Sequence, residues 1–293
     1  MGRQVRSFLF GLLVLSLLGA PIKAQRETMT HEEARALDHQ DPTWLTVSNH
    51  LPNPQTATAA QLETAADVLR ARRFLEDALD YYGYAISRGG HEVALLNKMG
   101  ITELELQRPV QARAFFQRVV KMNKKEAEGW NNLGAIEYLG GRLGTAVSDY
   151  KRAIKLDKTS ASFHSNLATA YFDEKQFDSA RKEYDVALKL DPDLLQHHGT
   201  VGSTTRMLSP EDHARFCYEL ARLYASRGDE QQMLHFLTMA SEAGFDVLHE
   251  MSTDSVLGRY RKDPRVLLLV KNSHDLRTNQ ASIDAPQLPP AQR

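Results

Sequence analysis

AEGWNNLGAIEYLGGRLGTAVSDYKRAIKLDK, residues 127–158, is the stretch whose reading decides the fold. Trp130, Leu133, Gly134 and Tyr138 recur at helical spacing. Gly140 and Gly141 break the pattern, and Ala146, Tyr150, Ala153 and Ile154 resume it on a second amphipathic face. The stretch therefore reads as a hairpin of two helices. Such a hairpin cannot bury both apolar faces alone, and the same grammar returns when the frame is shifted by 34 residues in either direction, so it is one unit of an array.

The frame begins at Ala59, Val93, Ala127 and Ala161, without gaps, defining units 59–92, 93–126, 127–160 and 161–192. The eighth position carries only small residues: Ala66, Gly100, Gly134 and Ala168. The twentieth carries Ala78, Ala112, Ala146 and Ala180, and the twenty-fourth Tyr82, Phe116, Tyr150 and Tyr184. Small residues at positions eight and twenty let the two helices approach closely, while the aromatic fills the space between hairpins.

A 34-residue unit with this order of large apolar, Leu, small, Ala and aromatic residues, closed by Leu190-Asp191-Pro192 and its near copy Leu156-Asp157-Lys158, resembles the tetratricopeptide repeat. Gly90, Lys124 and Lys158 depart from the family's terminal proline, and Glu103 and Glu137 from its frequent Tyr. The resemblance implies an all-α fold, a right-handed superhelical solenoid of antiparallel helix pairs whose first helices line a concave groove. Carried onto this chain, the groove positions are Asn97, Lys98, Asn131, Asn132 and Asn166, flanked by Arg70, Leu104, Tyr138 and Phe172. Carboxamides suit the backbone of an extended peptide because they both donate and accept, and the apolar residues either receive its side chains or pack against the neighbouring unit. The cationic clamp by which relatives hold a peptide's terminal carboxylate is not matched, since Glu63, Asn97, Asn131, Ala94, Glu128 and Ser162 stand at its positions.

Upstream of the array, Arg3 and Arg6 precede an apolar run from Phe8 to Ala20 and a small-residue site ending at Ala24, the layout of a secretory signal. The run is shorter than the ~20 residues of a spanning helix, so residues 1–24 are expected to be cleaved, giving a periplasmic or secreted protein with no stable membrane span. Cleavage leaves 33 basic against 37 acidic residues, and that mild negative charge argues against nucleic acid as a partner. Cys217 is the single cysteine, so no intramolecular disulfide supports the exported fold. With His213 one turn earlier it has the spacing of an activated thiol, but nothing supplies a third triad member and a small buried hydrophobe is the expected role.

Residues 25–58 read as an irregular lead-in with a short helix near Glu32–His39. HEEARALDH, His31–His39, is not a metalloprotease spacing, and a solvated helix is expected there. Residues 193–213 read as a loop whose His197 and His198 lack surrounding metal ligands. Ser209, Pro210, Glu211 and Asp212 start a new helix, and 214–244 carry a divergent fifth helix pair. Residues 245–275 are expected to form capping helices with a polar outer face, and 276–293 a disordered tail.

The chain thus has the features of a noncatalytic interaction scaffold that binds a protein or peptide, with no cofactor, metal or catalytic residue assigned. An enzyme with a site at 193–213, a metal-dependent protein, and a self-associating homo-oligomer are the alternatives.

Overall fold

The computed structural model describes residues 30–194 and 210–284. The signal, His197 and His198, and the end of the tail lie outside them. The chain divides into two compact units, on either side of the Lys125–Glu126 bond. In the first, α1 (His31–Asp38) and α2 (Thr43–Ser48) precede two helical hairpins. These are α3 (Ala59–Ala71) with α4 (Leu75–Ser87), and α5 (Glu92–Glu105) with α6 (Pro109–Met122). In the second, three hairpins follow one another: α7 (Ala127–Leu139) with α8 (Leu143–Leu156), α9 (Ala161–Asp173) with α10 (Phe177–Leu190), and α11 (Pro210–Arg227) with α12 (Glu230–Glu242). α13 (Val247–Glu250), a 3₁₀ turn at Gly258–Tyr260 and α14 (Pro264–Asp284) complete it. Among the described residues there is no strand.

Two kinds of turn, each repeated at the same position, shape the hairpins. Position fifteen of every unit adopts the left-handed conformation, at Arg73, Gln107, Gly141 and Lys175 with φ of 70°, 63°, 73° and 59°. The next residue's N–H then reaches back to the first helix: Phe74 to Leu69 O at 2.9 Å, Arg108 to Glu103 O at 2.8 Å, Arg142 to Glu137 O and Gln176 to Tyr171 O at 2.9 Å each. This 6→1 bond satisfies a carbonyl that the helix end would leave bare. Between units, Asn123, Asp157 and Asp191 leave the second helix in extended conformation and their side chains accept from the N–H groups of Lys125, Thr159 and Asp193 at 3.0, 2.8 and 3.1 Å. That is the physical content of the closing Leu-Asp-Pro-like motif. The first unit closes instead at Gly89, φ 82°, with Gly90 N–H on Ala85 O at 2.9 Å.

The small eighth position is close-packed, but by the aromatic of its own hairpin, which the sequence reading places between hairpins. A Cβ built on Gly134 would stand 2.7 Å from the Tyr150 ring, and one on Gly100 would collide with Phe116, so in these two units the aromatic fills the volume that a methyl would take.

Three findings at the ends and the junction go beyond the sequence reading. First, α2 folds within the lead-in, where Pro42 supplies a fixed φ just ahead of its first turn. Second, the fifth hairpin stacks directly on the fourth: Phe216 of α11 lies 5.2 Å from Phe172 and 5.8 Å from Tyr184, ring centre to ring centre, and Arg181 of α10 reaches Glu219 of α11 at 3.1 Å. Third, α14 runs to Asp284 although a disordered tail was expected from 276; no Gly or Pro lies between Arg265 and Asp284 to stop it. Its outer face is also less polar than expected, with Leu267, Leu268 and Leu276 exposed.

Candidate partner-binding face

The sequence-derived groove residues divide between the two units. In the second unit α7 and α9 lie side by side with Asn131 and Asn166 in contact. Asn166 Nδ2 donates to Asn131 Oδ1 at 3.0 Å, and Asn131 Nδ2 donates to Asn132 Oδ1 at 3.4 Å. The three carboxamides form a short ladder across the first helices. Asn131 and Asn166 are 9% and 7% exposed, a burial that the bond from Asn166 to Asn131 and the bond from Asn131 to Asn132 help to offset, while Asn132 is half-buried at the ladder's end. Two residues before Asn166, His164 is buried with its ring bonded to Glu183 at 2.7 Å and to the Lys158 carbonyl at 3.3 Å, so its two nitrogens are tied to the fold.

Tyr138 and Phe172 point the other way. Both are buried in the apolar cluster of α7–α10, and Phe172 packs on Phe177 at 5.3 Å as well as on Phe216. Their place in the structure is that of packing residues, the second of the two roles weighed from the sequence. Burial of an aromatic side chain of this size contributes on the order of 2–3 kcal/mol.

In the first unit Lys98 and Arg70 are engaged internally. Lys98 Nζ bonds Asp67 at 2.6 Å and Glu63 at 2.8 Å. Partial burial disfavours its ammonium, but these two carboxylates outweigh that and hold it above its ordinary range. Arg70 pairs with Glu105 at 3.7 Å, Asn97 is buried, and Leu104 is half-buried. Lys98 and Arg70 on this face are therefore compensated by carboxylates of the same unit.

Two clusters escaped the sequence reading because their members are far apart in the chain. In the first unit His31 bonds Glu76, Arg35 bonds Asp77 and Asp80, and His39 bonds Asp77 at 3.0 Å. Both histidines of the His31–His39 stretch are thereby committed to carboxylates of α4. Arg108 reaches the buried Glu76 at 2.6 Å and Glu103 at 3.7 Å; desolvation raises the Glu103 pKa, and Arg108 offsets this only in part. In the second unit the buried Glu219 receives Arg181, Arg222 and Arg215, and Asp254 receives Arg222 at 2.7 Å and the Tyr218 hydroxyl at 3.1 Å. These are alternating-sign networks that neutralise themselves. Among the described residues no group of three or more His, Cys, Asp or Glu is placed to hold a metal ion, and no helix is long and apolar enough to cross a membrane.

Cys217 lies buried with Sγ 3.6 Å from His213 Nε2. Desolvation pushes the thiol up to about 11, the opposite of the depressed value a nucleophile needs. The pair behaves as part of the α11 core.

Three family models match the chain, described as TPR repeat for residues 134–174 and as Tetratricopeptide repeat for 161–194 and 63–123. No curated protein sequence matches it. Among solved structures, it is similar to pilF of Pseudomonas aeruginosa at 15% identity, over 84% of this chain and 99% of that one, TM-score 0.47. It is also similar to MamA of Desulfovibrio magneticus RS-1 at 17% identity, over 70% and 99%, TM-score 0.44. A third is YrrB, described as a TPR protein with an unusual peptide-binding site, at 16% identity, over 72% and 97%, TM-score 0.42. With family matches over 63–123 and 134–194, and with turns, close approaches and aromatic fillers recurring every 34 residues, the chain is a tetratricopeptide-repeat protein.

Proposed function

We propose that this chain is a noncatalytic protein-interaction module, exported through its N-terminal signal, that holds a protein or peptide against the first-helix face of its repeats. The observation that carries this reading is the Asn166–Asn131–Asn132 ladder. An amide presents a donor and an acceptor together, the same pair that an extended backbone presents at each residue, so a ladder of them can exchange its internal bonds for bonds to a bound chain. The compensated charges around Lys98 and Arg70 favour recognition of backbone over recognition of a charged terminus.

The test is crosslinking mass spectrometry of the exported protein in its native envelope. Asn131→Ala with Asn166→Ala should remove the partner's crosslinks while leaving the helical circular dichroism unchanged. If the crosslinks persist in that variant and vanish when His197 and His198 are replaced, the partner sits at the 193–213 loop and the first-helix reading fails. A second reading, self-association, is favoured by one observation, the exposed leucines of α14.

A further inference from the structure

Positions three, seven and ten of a first helix face the preceding hairpin. In the fourth repeat they are Phe163, Leu167 and Ala170, all buried, with α8 packed against α9. In the first repeat they are Gln61, Ala65 and Val68, preceded among the described residues by α1 and α2. Val68 is 45% exposed where its equivalent Ala170 is 0%. α2 and the turn after it supply one wall, through Val47 and Leu51, and leave an open cleft of about 710 Å³ along α3, floored by Ala60, Thr64 and Ala65. That volume lies in the ordinary range of ligand clefts, and its floor of small side chains lacks the bulk that Phe163 and Leu167 provide in the fourth repeat. Its lining carries Arg72 and His50 and no carboxylate.

We propose that this cleft docks an acidic amphipathic helix of a partner protein, which completes the array at its N-terminal end. The chain itself displays the chemistry required: α4, which packs against α5, sets Leu75, Ala78, Leu79 and Tyr82 at i, i+3, i+4 and i+7, and bears Glu76, Asp77 and Asp80 with no basic residue. An inserted helix of that kind places large apolar side chains over Ala65 and Val68 and a carboxylate against Arg72. The cleft shares the first-helix position of Thr64 with the proposed face, but its test through Ala65, Val68 and Arg72 is independent of Asn131 and Asn166.

The probe is a fluorescein-labelled, helix-stapled peptide with the sequence of Leu75–Ser87, titrated into the full chain and followed by fluorescence polarisation. Saturable one-to-one binding is expected. It should weaken at least tenfold with Val68→Asp, with Ala65→Leu, which fills the floor using the residue that the fourth repeat carries, and with Arg72→Glu. A peptide carrying Glu76→Lys, Asp77→Lys and Asp80→Lys should bind at least tenfold more weakly. Unchanged thermal melts of the three variants separate loss of docking from loss of fold. Absence of saturable binding, or binding indifferent to Val68→Asp and Ala65→Leu, overturns the site; equal binding of the lysine peptide overturns the acidic class. Dimerisation of the chain that Val68→Asp abolishes would assign the cleft to a second copy and overturn the partner helix.

Discussion

At the residue scale the structure turns on side chains too small, too buried or too constrained to exchange freely. Gly134 is one: a methyl there meets the buried Tyr150 ring at 2.7 Å. Overpacking of this kind costs about 1–3 kcal/mol, against about 1 kcal/mol gained from replacing a mid-helix glycine. Gly134→Ala is therefore expected to destabilise the chain by about 1 kcal/mol in urea denaturation, the cost of overpacking exceeding the gain in helix propensity. Cys217 is another. With its thiol raised to about 11 by burial, the native protein at pH 8 should resist Ellman's reagent over a period in which the urea-unfolded chain reacts completely. Rapid native reaction would revive the activated-thiol reading. The signals behind these two roles were partly readable in advance: spacing required a small residue at Gly134 and left Cys217 without a triad, while the contact of Gly134 with Tyr150 came only from the structure.

At the scale of elements, α1 and α5 show how charge holds parts of the first unit. α1 buries Ala34 and is tied to α4 by the Arg35 ion pairs with Asp77 and Asp80 and by the bonds of His31 to Glu76 and His39 to Asp77. Salt shortens the reach of such charges, to about 10 Å at 0.1 M and about 3 Å at 1 M. Amide exchange of residues 31–38 should thus accelerate several-fold between 0.01 and 1 M salt, while that of α3 and α4 stays constant, as read by hydrogen–deuterium exchange. On α5, Glu103 has a carboxyl pKa raised above its ordinary 4.5, chiefly by burial. A raised folded-state value means that the stabilising share of this group is complete below pH 4.5 and is lost as pH climbs through the folded value. Glu103→Gln should accordingly raise the melting temperature at pH 7, with the gain shrinking as pH falls toward 4.5. A gain that is constant with pH would mean the carboxylate is not the cause. Neither feature was visible in the sequence, since His31 and Glu76, or Glu103 and Arg108, become partners only after hairpins form.

At the scale of the whole molecule, the C-terminal cap is where self-association can be tested. α14 leaves Leu267, Leu268 and Leu276 at 46%, 58% and 61% exposure. If these leucines join copies, Leu268→Lys with Leu276→Lys should convert an associating species to monomer in sedimentation velocity, and a wild-type chain that is monomeric at 100 μM would remove this reading. Periodicity by itself determined the repeats, their 34-residue register, the close approaches at Gly100 and Gly134, and the capping turns at Asp157 and Asp191, because each depends on residues within one hairpin. Tertiary structure alone decided the rest. It turned Tyr138 and Phe172 into the core, joined Asn131 to Asn166, set the fifth hairpin on the fourth and, among the described residues, left α3 without a covering hairpin. It also forced Arg73, Gln107 and Lys175 into the left-handed turn that only Gly141 advertises. The physical reason is the same in each case: local spacing specifies which face of a helix is apolar, whereas what covers that face is settled by packing between residues a full period or more apart.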